Sequence, residues 1–446
     1  MHSKFTCPGQ RLQSLSSNWQ SMSASRTVLG LVRSGYKMKF SNNPKLTKPL
    51  AKFETKLPRD QMEVVRKEVA GFLEKKAIRI VPQKEAEETL GFYSKLFCVP
   101  KPGVNKWRMI IDMRKLNKHI LKKKFKMQGV KDVRAALQPK MFGAVIDISD
   151  AYYHISIHKK ARKYTRFIVD GVVYEYMGLP MGLCCSPRIF TRVSKFVCDW
   201  LRKRGVILVI YIDDILVLGH SYAECLKHVK MVLKLLDKLG FLVNQAKCEL
   251  DPSTSFTYLG CCWDTENWQV SLKKKRKENI CKSARDLLSR SLVKARDVAR
   301  FLGRTQSAAG IVPLARLRTR AVQHEFSQVV KTPEDYSKLY QMSDQARSQL
   351  EQWTEFGQDS MPISPLGMRV ESVDTDASDF GYGWYWKSDI FSDSLPVQWQ
   401  DQHINVTELW TLKQFLDTEG RCLRDILLCW RCDNNVAMAA IKKYAL

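Results

Sequence analysis

Residues 206–219 read VILVIYIDDILVLG, apolar throughout except for Asp213, Asp214 and the closing Gly219. A run of this kind belongs in a core, where an unpaired carboxylate is costly. Two neighbouring acids in its middle therefore oblige the chain to turn there. The expected solution is a β-hairpin whose strands are buried and whose turn lifts Asp213 and Asp214 to the surface of a sheet. Acids held that way suit Mg²⁺, which takes oxygen ligands and usually shares them with substrate phosphates. Such a site needs a third carboxylate from a neighbouring strand. FGAVIDISDAYYHISI (142–157) offers Asp147, again at the end of an apolar run. Either stretch alone reads equally well as an ordinary strand end.

Charge narrows the choice. The 446-residue chain carries 73 Lys+Arg against 45 Asp+Glu, a net +28. That excess points to a polyanionic partner, nucleic acid before an acidic membrane surface. In such a chain three converging acids favour metal-dependent nucleotidyl transfer. The 13 cysteines, an odd number scattered through apolar segments, fit a reduced intracellular protein that is not secreted. The pair Cys429 and Cys432 lacks a second ligand pair at zinc-site spacing and reads as part of a buried strand. No secretory signal opens the chain, and no apolar run reaches the ~18–20 residues of a membrane span.

The organisation is that of several domains. Residues 1–40, Ser-rich with few apolar anchors, read as a flexible extension. A helical pattern from Asp60 ends in GFLEKKAIRIVP (71–82). Two strands around a Pro-Gly turn follow in FYSKLFCVPKPGVNKWRMIIDMRKLNKHI (92–120). YTRFIVDGVVYEYMGLPMGLCCSP (164–187) reads as a hairpin at Asp170-Gly171 and then a Gly/Pro-rich loop, with a helix expected over 187–203. AECLKHVKMVLKLLDKLG (223–240) has helical periodicity and a C-cap glycine. Beyond FTYLGCCWD (256–264), two basic helices are expected at 273–290 and 294–309. The second sets Arg296, Arg300 and Arg304 on one face, which plain solvation also explains. Residues 355–368 read as a linker into a strand-rich unit from 369.

The Tyr-Ile-Asp-Asp box, with VIDISDAYYHISI before it and GLPMGLCCSPRIF between, closely resembles reverse transcriptases. FCVPKPGVNKWRMIIDMRKLNK resembles their fingers segment, LGFLVNQAKCEL the segment after the catalytic hairpin, and FTYLG the primer grip. VLGLVRSGYKMKF and ARFLGRTQSAAGIVPLARLRTR resemble the DIRS-like retrotransposons. The resemblance implies an α+β right-hand polymerase with fingers and palm over 41–270 and a basic thumb or connection over 271–354. Asp147, Asp213 and Asp214 become the ligands of two Mg²⁺ ions, with Mn²⁺ a possible substitute. Lys101 and Arg108 grip the triphosphate, and Tyr152 crowds a ribose 2′-OH, favouring dNTPs. Lys247 protonates the leaving pyrophosphate. Gly178, Pro180, Met181 and Gly182 shape the nucleotide and template loop, Met181 standing where the family often has Gln or Phe. Tyr258, Leu259 and Gly260 grip the primer. The partners implied are an RNA template, a DNA primer and an RNA–DNA hybrid.

A second set of acids follows in ESVDTDASDFGYGWYW (371–386), NVTELWTLKQFL (405–416) and DILLCWRCDNN (425–435). Their order resembles retroelement ribonuclease H and implies Asp376, Glu408 and Asp433 as its carboxylates, with Asp374 a less fitting stand-in for Asp376. The resemblance stops one short helix after Asp433, so residues 369–446 are expected to form a truncated ribonuclease H-like α/β domain. The leading expectation is a retrotransposon RNA-directed DNA polymerase. The alternative is a decayed or domesticated nucleic-acid-binding protein without turnover. An RNA-copying RNA polymerase fits Tyr152 and the appended unit less well.

Overall fold

The structure, a computed structural model, describes residues 7–100, 107–355, 360–363, 369–423 and 426–444. They divide into two units, Met1–Leu259 and Gly260–Leu446.

The first unit is built in chain order from helix α1 (Arg26–Ser34), helix α2 (Arg59–Glu74), strands β1 (Ile78–Ile80), β2 (Leu96–Pro100), β3 (Trp107–Ile111), β4 (Phe142–Asp147), β5 (Arg166–Val169) and β6 (Val172–Tyr176), helix α3 (Ser186–Arg202), strands β7 (Ile207–Tyr211) and β8 (Asp214–Gly219), helix α4 (Tyr222–Leu239) and strand β9 (Glu249–Ser253). Its central sheet has the order β7-β8-β4-β9, all antiparallel. Strand β8 is buried on both faces from Ile215 to Gly219, which is why its sequence is a continuous apolar run rather than an alternation. Core residues of α3 and α4, among them Phe190, Val193, Val229 and Val232, join Ile146, Leu208, Ile215 and Val217 of the sheet in one cluster. Helix α4 starts at Ser221, whose hydroxyl accepts the Glu224 N–H, and stops at Gly240 with φ +93°.

Strands β1, β6 and β5 form a separate three-stranded sheet. Asp170 and Gly171, with φ of 49° and 74°, make the β5–β6 turn, the left-handed pair that matches strand twist in two-residue hairpins. Arg166 and Glu175 face each other in this hairpin and pair at 3.2 Å, both essentially buried. Arg79 bonds Glu175 at 2.7 Å and Glu85 at 2.6 Å, so no charge in the group is left alone.

Residues 7–40, expected to be flexible, are folded. Short helices at Arg11–Ser14 and Ser16–Ser21 precede α1. Leu12, Trp19, Val28, Val32 and Tyr36 are buried in the main core. The Trp19 indole packs tilted against Phe196 and edge-on against Phe241, and donates to the Leu239 carbonyl at 3.1 Å. A few large apolar anchors thus outweigh a Ser-rich composition.

The second unit opens with strands β10 (Cys261–Asp264) and β11 (Gln269–Leu272), then helices α5 (Lys274–Leu288) and α6 (Ala295–Ala308). The unit boundary at Leu259/Gly260 lies earlier than the 270/271 division expected. The supposed linker is in part structured: Ser360–Pro362 is a strand paired with β11, while 356–359 and 364–368 lie outside the described residues. Strands β12 (Arg369–Ala377), β13 (Gly381–Trp386), β14 (Asp389–Ser394) and β15 (Ile426–Arg431) form a sheet of order β14-β13-β12-β15, with β15 parallel to β12. Helix α7 (Ile404–Glu419) lays Leu412 and Phe415 on Val373, Trp384 and Trp386. Helix α8 (Asn435–Tyr444) follows. Strand β15 is half-buried rather than buried, because it is an edge strand of the described sheet, and Cys429 is exposed.

Candidate active site

Register brings the first three acids together. Strands β4 and β8 pair antiparallel with Asp147 opposite Asp214, and β7 and β8 pair with Tyr211 opposite Asp214. The turn between β7 and β8 is Ile212-Asp213, with Ile212 at φ +55°. The Asp213 carbonyl accepts the Ile148 N–H at 2.8 Å, which locks the turn to the end of β4. A β-branched residue in left-handed conformation is strained, and strain of this kind persists only where the surroundings over-determine it.

The electrostatics are those of uncompensated negative charge. Asp214 is pushed up to about 6, first by burial, then by Asp213 and Asp147. Asp213 is also raised, by burial before the charge of Asp147. Lys247 stands 3.8 Å from Asp147 and is exposed, a weak counter-charge for three carboxylates. Such a donor set fits a divalent cation: all oxygen, negative, and held on two adjacent strands. Among the described residues these three do not close into a single tight cluster. That openness suits Mg²⁺, which keeps waters and phosphate oxygens in its shell.

The remaining positions fall around or beside this centre. Tyr152 is half-buried, packs edge-on against Phe190 at 5.9 Å, and is raised to about 12 by burial and then by Asp213. Arg108 is exposed on β3, opposite Val99; Lys101 lies outside the described residues. Gly178 is required by packing, since a Cβ there would meet the Tyr153 carbonyl oxygen at 2.6 Å. Pro180 is buried and its carbonyl accepts from the Ser186 hydroxyl at 2.9 Å. Met181 is 58% exposed at the tip of the loop. Gly182 turns the loop at φ +91°.

Tyr258, in the segment expected to grip the primer, has a buried side chain whose hydroxyl donates to the Asp214 carbonyl at 2.9 Å, buttressing the acid-bearing hairpin. The backbone at Leu259 and Gly260 turns left-handed, with φ of 53° and 71°.

Several supporting residues were not singled out from the sequence. Asn117 pins the Gly178–Gly182 loop, donating to the Gly182 carbonyl at 2.8 Å and accepting from the Cys184 N–H at 2.9 Å. Gln128 accepts the Ile210 N–H at 3.0 Å on the outer edge of β7. The Cys248 sulfur accepts the Asp147 N–H at 3.3 Å. None has a local sequence signal, because each acts across a long separation.

In the second unit, Glu408 on α7 is 2% exposed and receives the Cys432 thiol at 3.5 Å. Ligand atoms of Glu408, Cys432 and Asp433 all lie within 4.8 Å of one another. Burial raises Glu408, and the charges of Asp376 and Asp433 raise it further, so these acids share one field. Asp376 is exposed near the end of β12. Asp374 is engaged elsewhere, in an ion pair with Arg431 at 3.0 Å.

Residues 99–262, which span the acid-bearing strands, match the family model for reverse transcriptase (RNA-dependent DNA polymerase). This segment is similar to the reverse transcriptase domains of that family. The chain is also similar to solved foamy viral protease-reverse transcriptases. One, in complex with an RNA/DNA hybrid, shares 17% identity at a TM-score of 0.58, over 87% of this chain and 50% of that one. This chain therefore spans half the length of that relative. Another, in complex with dsDNA, shares 19% identity at a TM-score of 0.58, over 92% of this chain and 82% of that one. At such identities the likeness carries the fold: a reverse transcriptase polymerase fold mixing helix and sheet. Among the described residues no helix is long and apolar enough to cross a membrane.

Proposed function

We propose that the chain is an RNA-directed DNA polymerase that extends a DNA primer on an RNA template with dNTPs. One observation carries the reading. Within the matched reverse transcriptase segment, the β4–β8 register sets Asp147 opposite Asp214, and the adjoining turn carries Asp213. Mg²⁺ ions held by these three carboxylates, or Mn²⁺ in their place, would activate the primer 3′-hydroxyl and neutralise charge on the triphosphate.

The chain's own residues do the rest. The primer oxygen forms a bond to the α-phosphorus as the bond to pyrophosphate breaks, and the hydroxyl proton is lost. Arg108, with Lys101, binds the triphosphate oxygens as a cationic clamp. Tyr152, held by Phe190, stands where the sugar edge of the nucleotide is read. Lys247 gives a proton to the departing pyrophosphate. Gly178, Pro180, Met181 and Gly182 form the floor under the nucleotide and template, and Leu259 and Gly260 steady the primer. Arg296, Arg300 and Arg304, all exposed on α6, bind backbone phosphates without reading sequence. The foamy viral relatives were solved with RNA/DNA hybrid and dsDNA, the same partner class.

The second unit is read as ribonuclease H-like, with Asp376, Glu408 and Asp433 directed at the RNA strand of a hybrid. The ion pair between Asp374 and Arg431 supports Asp376 as the working acid of β12. The element is read as a retrotransposon of DIRS-like type from its flanking motifs.

The test is primer extension on an RNA template with Mg²⁺, comparing dNTPs with rNTPs, alongside Asp213→Asn/Asp214→Asn. Extension with dNTPs alone, lost in the double variant, is expected. Salt-sensitive template binding without extension would instead establish a binding protein without turnover.

A further inference from the structure

The first unit holds a cavity of about 680 Å³ lined by no acid, in which none of Asp147, Asp213 or Asp214 takes part. Its walls carry Arg11, Lys76, His158, Lys159, Lys160 and Arg162. Two glycines close the walls by backbone contact. A Cβ at Gly9 would meet the Lys76 carbonyl oxygen at 2.2 Å, and one at Gly35 (φ +79°) the Ser156 carbonyl oxygen at 2.7 Å. The N-terminal segment is thus seated on the 156–162 stretch, and the cavity between them is a built feature.

Its charge is only partly answered from within. Arg11 has a partner, Asp237 at 3.1 Å. Arg162 is 9% exposed, and its side chain makes one hydrogen bond, from Nε to the Ile157 carbonyl at 3.2 Å; burial lowers it, and the charge of Glu175, already bonded by Arg79 and Arg166, only partly offsets this. A buried guanidinium whose carboxylate neighbour is shared with two other arginines is costly, and an anion in direct contact would offset that cost. Lys159 and Lys160 are exposed on the rim. Loss of water, then the charges of Lys37, Lys160 and Arg162, hold His158 below its ordinary value, so the imidazole reports the same positive field.

We propose that this cavity is a binding site for a compact molecule with clustered phosphates, distinct from the polymerase centre. Its size falls within the range of small-molecule sites, about 300–1,000 Å³. The cations surround the hollow and the buried guanidinium lines it, an arrangement for a compact polyanion rather than a strand passing over a surface. Arg162 and Arg11 supply directed N–H donors to phosphate oxygens, and the lysines supply mobile charge. The chemistry is common to free polyphosphate and to the tail of a nucleoside triphosphate. The inference does not depend on the polymerase reading.

The test is calorimetric titration of the full chain, in EDTA and without nucleic acid, so that the acid centre is not loaded with metal. The probes are inorganic tripolyphosphate, ATP and a single-stranded RNA oligonucleotide. Tripolyphosphate is expected to saturate one site. Lys159→Glu/Lys160→Glu should weaken it by about tenfold or more, while Lys227→Glu/Lys230→Glu, the same charge change on exposed positions of α4, should leave it within about twofold. Arg162→Gln should match the first variant; should it not fold, the rim variant still decides. Equal affinity for tripolyphosphate and ATP would identify the phosphates alone as the ligand, and tighter ATP binding a nucleoside triphosphate. Equal weakening by both double variants would overturn the proposal as unspecific attraction to a basic chain. So would RNA binding that is tighter than tripolyphosphate and lost in the rim variant, which would make the hollow part of a strand path.

Discussion

Asp213 and Asp214 sit in a field that opposes their own ionisation, and that has a consequence for stability. The folded-state value of Asp214, about 6, lies above the ordinary 3.8. The folded protein therefore keeps a proton through a range where the unfolded chain releases it. The stability this gives is full below about 3.8 and is lost as pH rises through about 6. In EDTA at pH 7, Asp214→Asn is expected to stabilise the fold by roughly 1–2 kcal/mol, after allowance for solvent screening of a half-exposed pair. Thermal melts should show the gap between variant and wild type opening from pH 4 to pH 6.5. A constant gap would mean that the acids are not coupled as described. The sugar edge gives a second check at this scale. Tyr152→Val is expected to leave dNTP extension within about tenfold while raising rNTP incorporation by about tenfold or more, measured as the ratio of kcat/KM values. Unchanged discrimination would assign Tyr152 to the core alone, where it already touches Phe190.

Whole elements were legible where their periodicity was strong. The paired aspartates in an apolar run implied a hairpin, and β7 and β8 form it. The expected basic helices at 273–290 and 294–309 are α5 and α6. The N-terminal segment was misread because the anchoring of short helices depends on what they land on. Trp19 is fully buried where α4 ends at Gly240 and the Leu239 carbonyl accepts its indole N–H. Trp19→Ala is accordingly expected to destabilise the first unit by about 3–5 kcal/mol, read as a fall in its urea midpoint. A flexible extension would show no change. The β5–β6 hairpin makes a companion case. Glu175→Gln leaves Arg166 buried against a neutral amide, and a loss of about 3–5 kcal/mol is expected because the charge is no longer answered.

Taken as a molecule, the chain carries +28 charges and should bind nucleic acid in proportion to the counterions it displaces. Replacing Arg296, Arg300 and Arg304 together by Ala is expected to reduce the slope of log K against log salt by about 2–3 for a template–primer duplex, with similar loss for unrelated sequences. An unchanged slope would return α6 to plain solvation. The three acids and the hairpin that carries two of them were legible in the sequence, because an ionised group inside an apolar run admits few solutions. Long-range partners were not. The β4–β8 register, the Tyr258 hydroxyl on the Asp214 carbonyl and Asn117 beneath the Gly178–Gly182 loop each join residues far apart in the chain. Such pairings carry no local periodicity or cap. They are decided only when tertiary packing fixes which polar groups lose water and which neighbour must replace it.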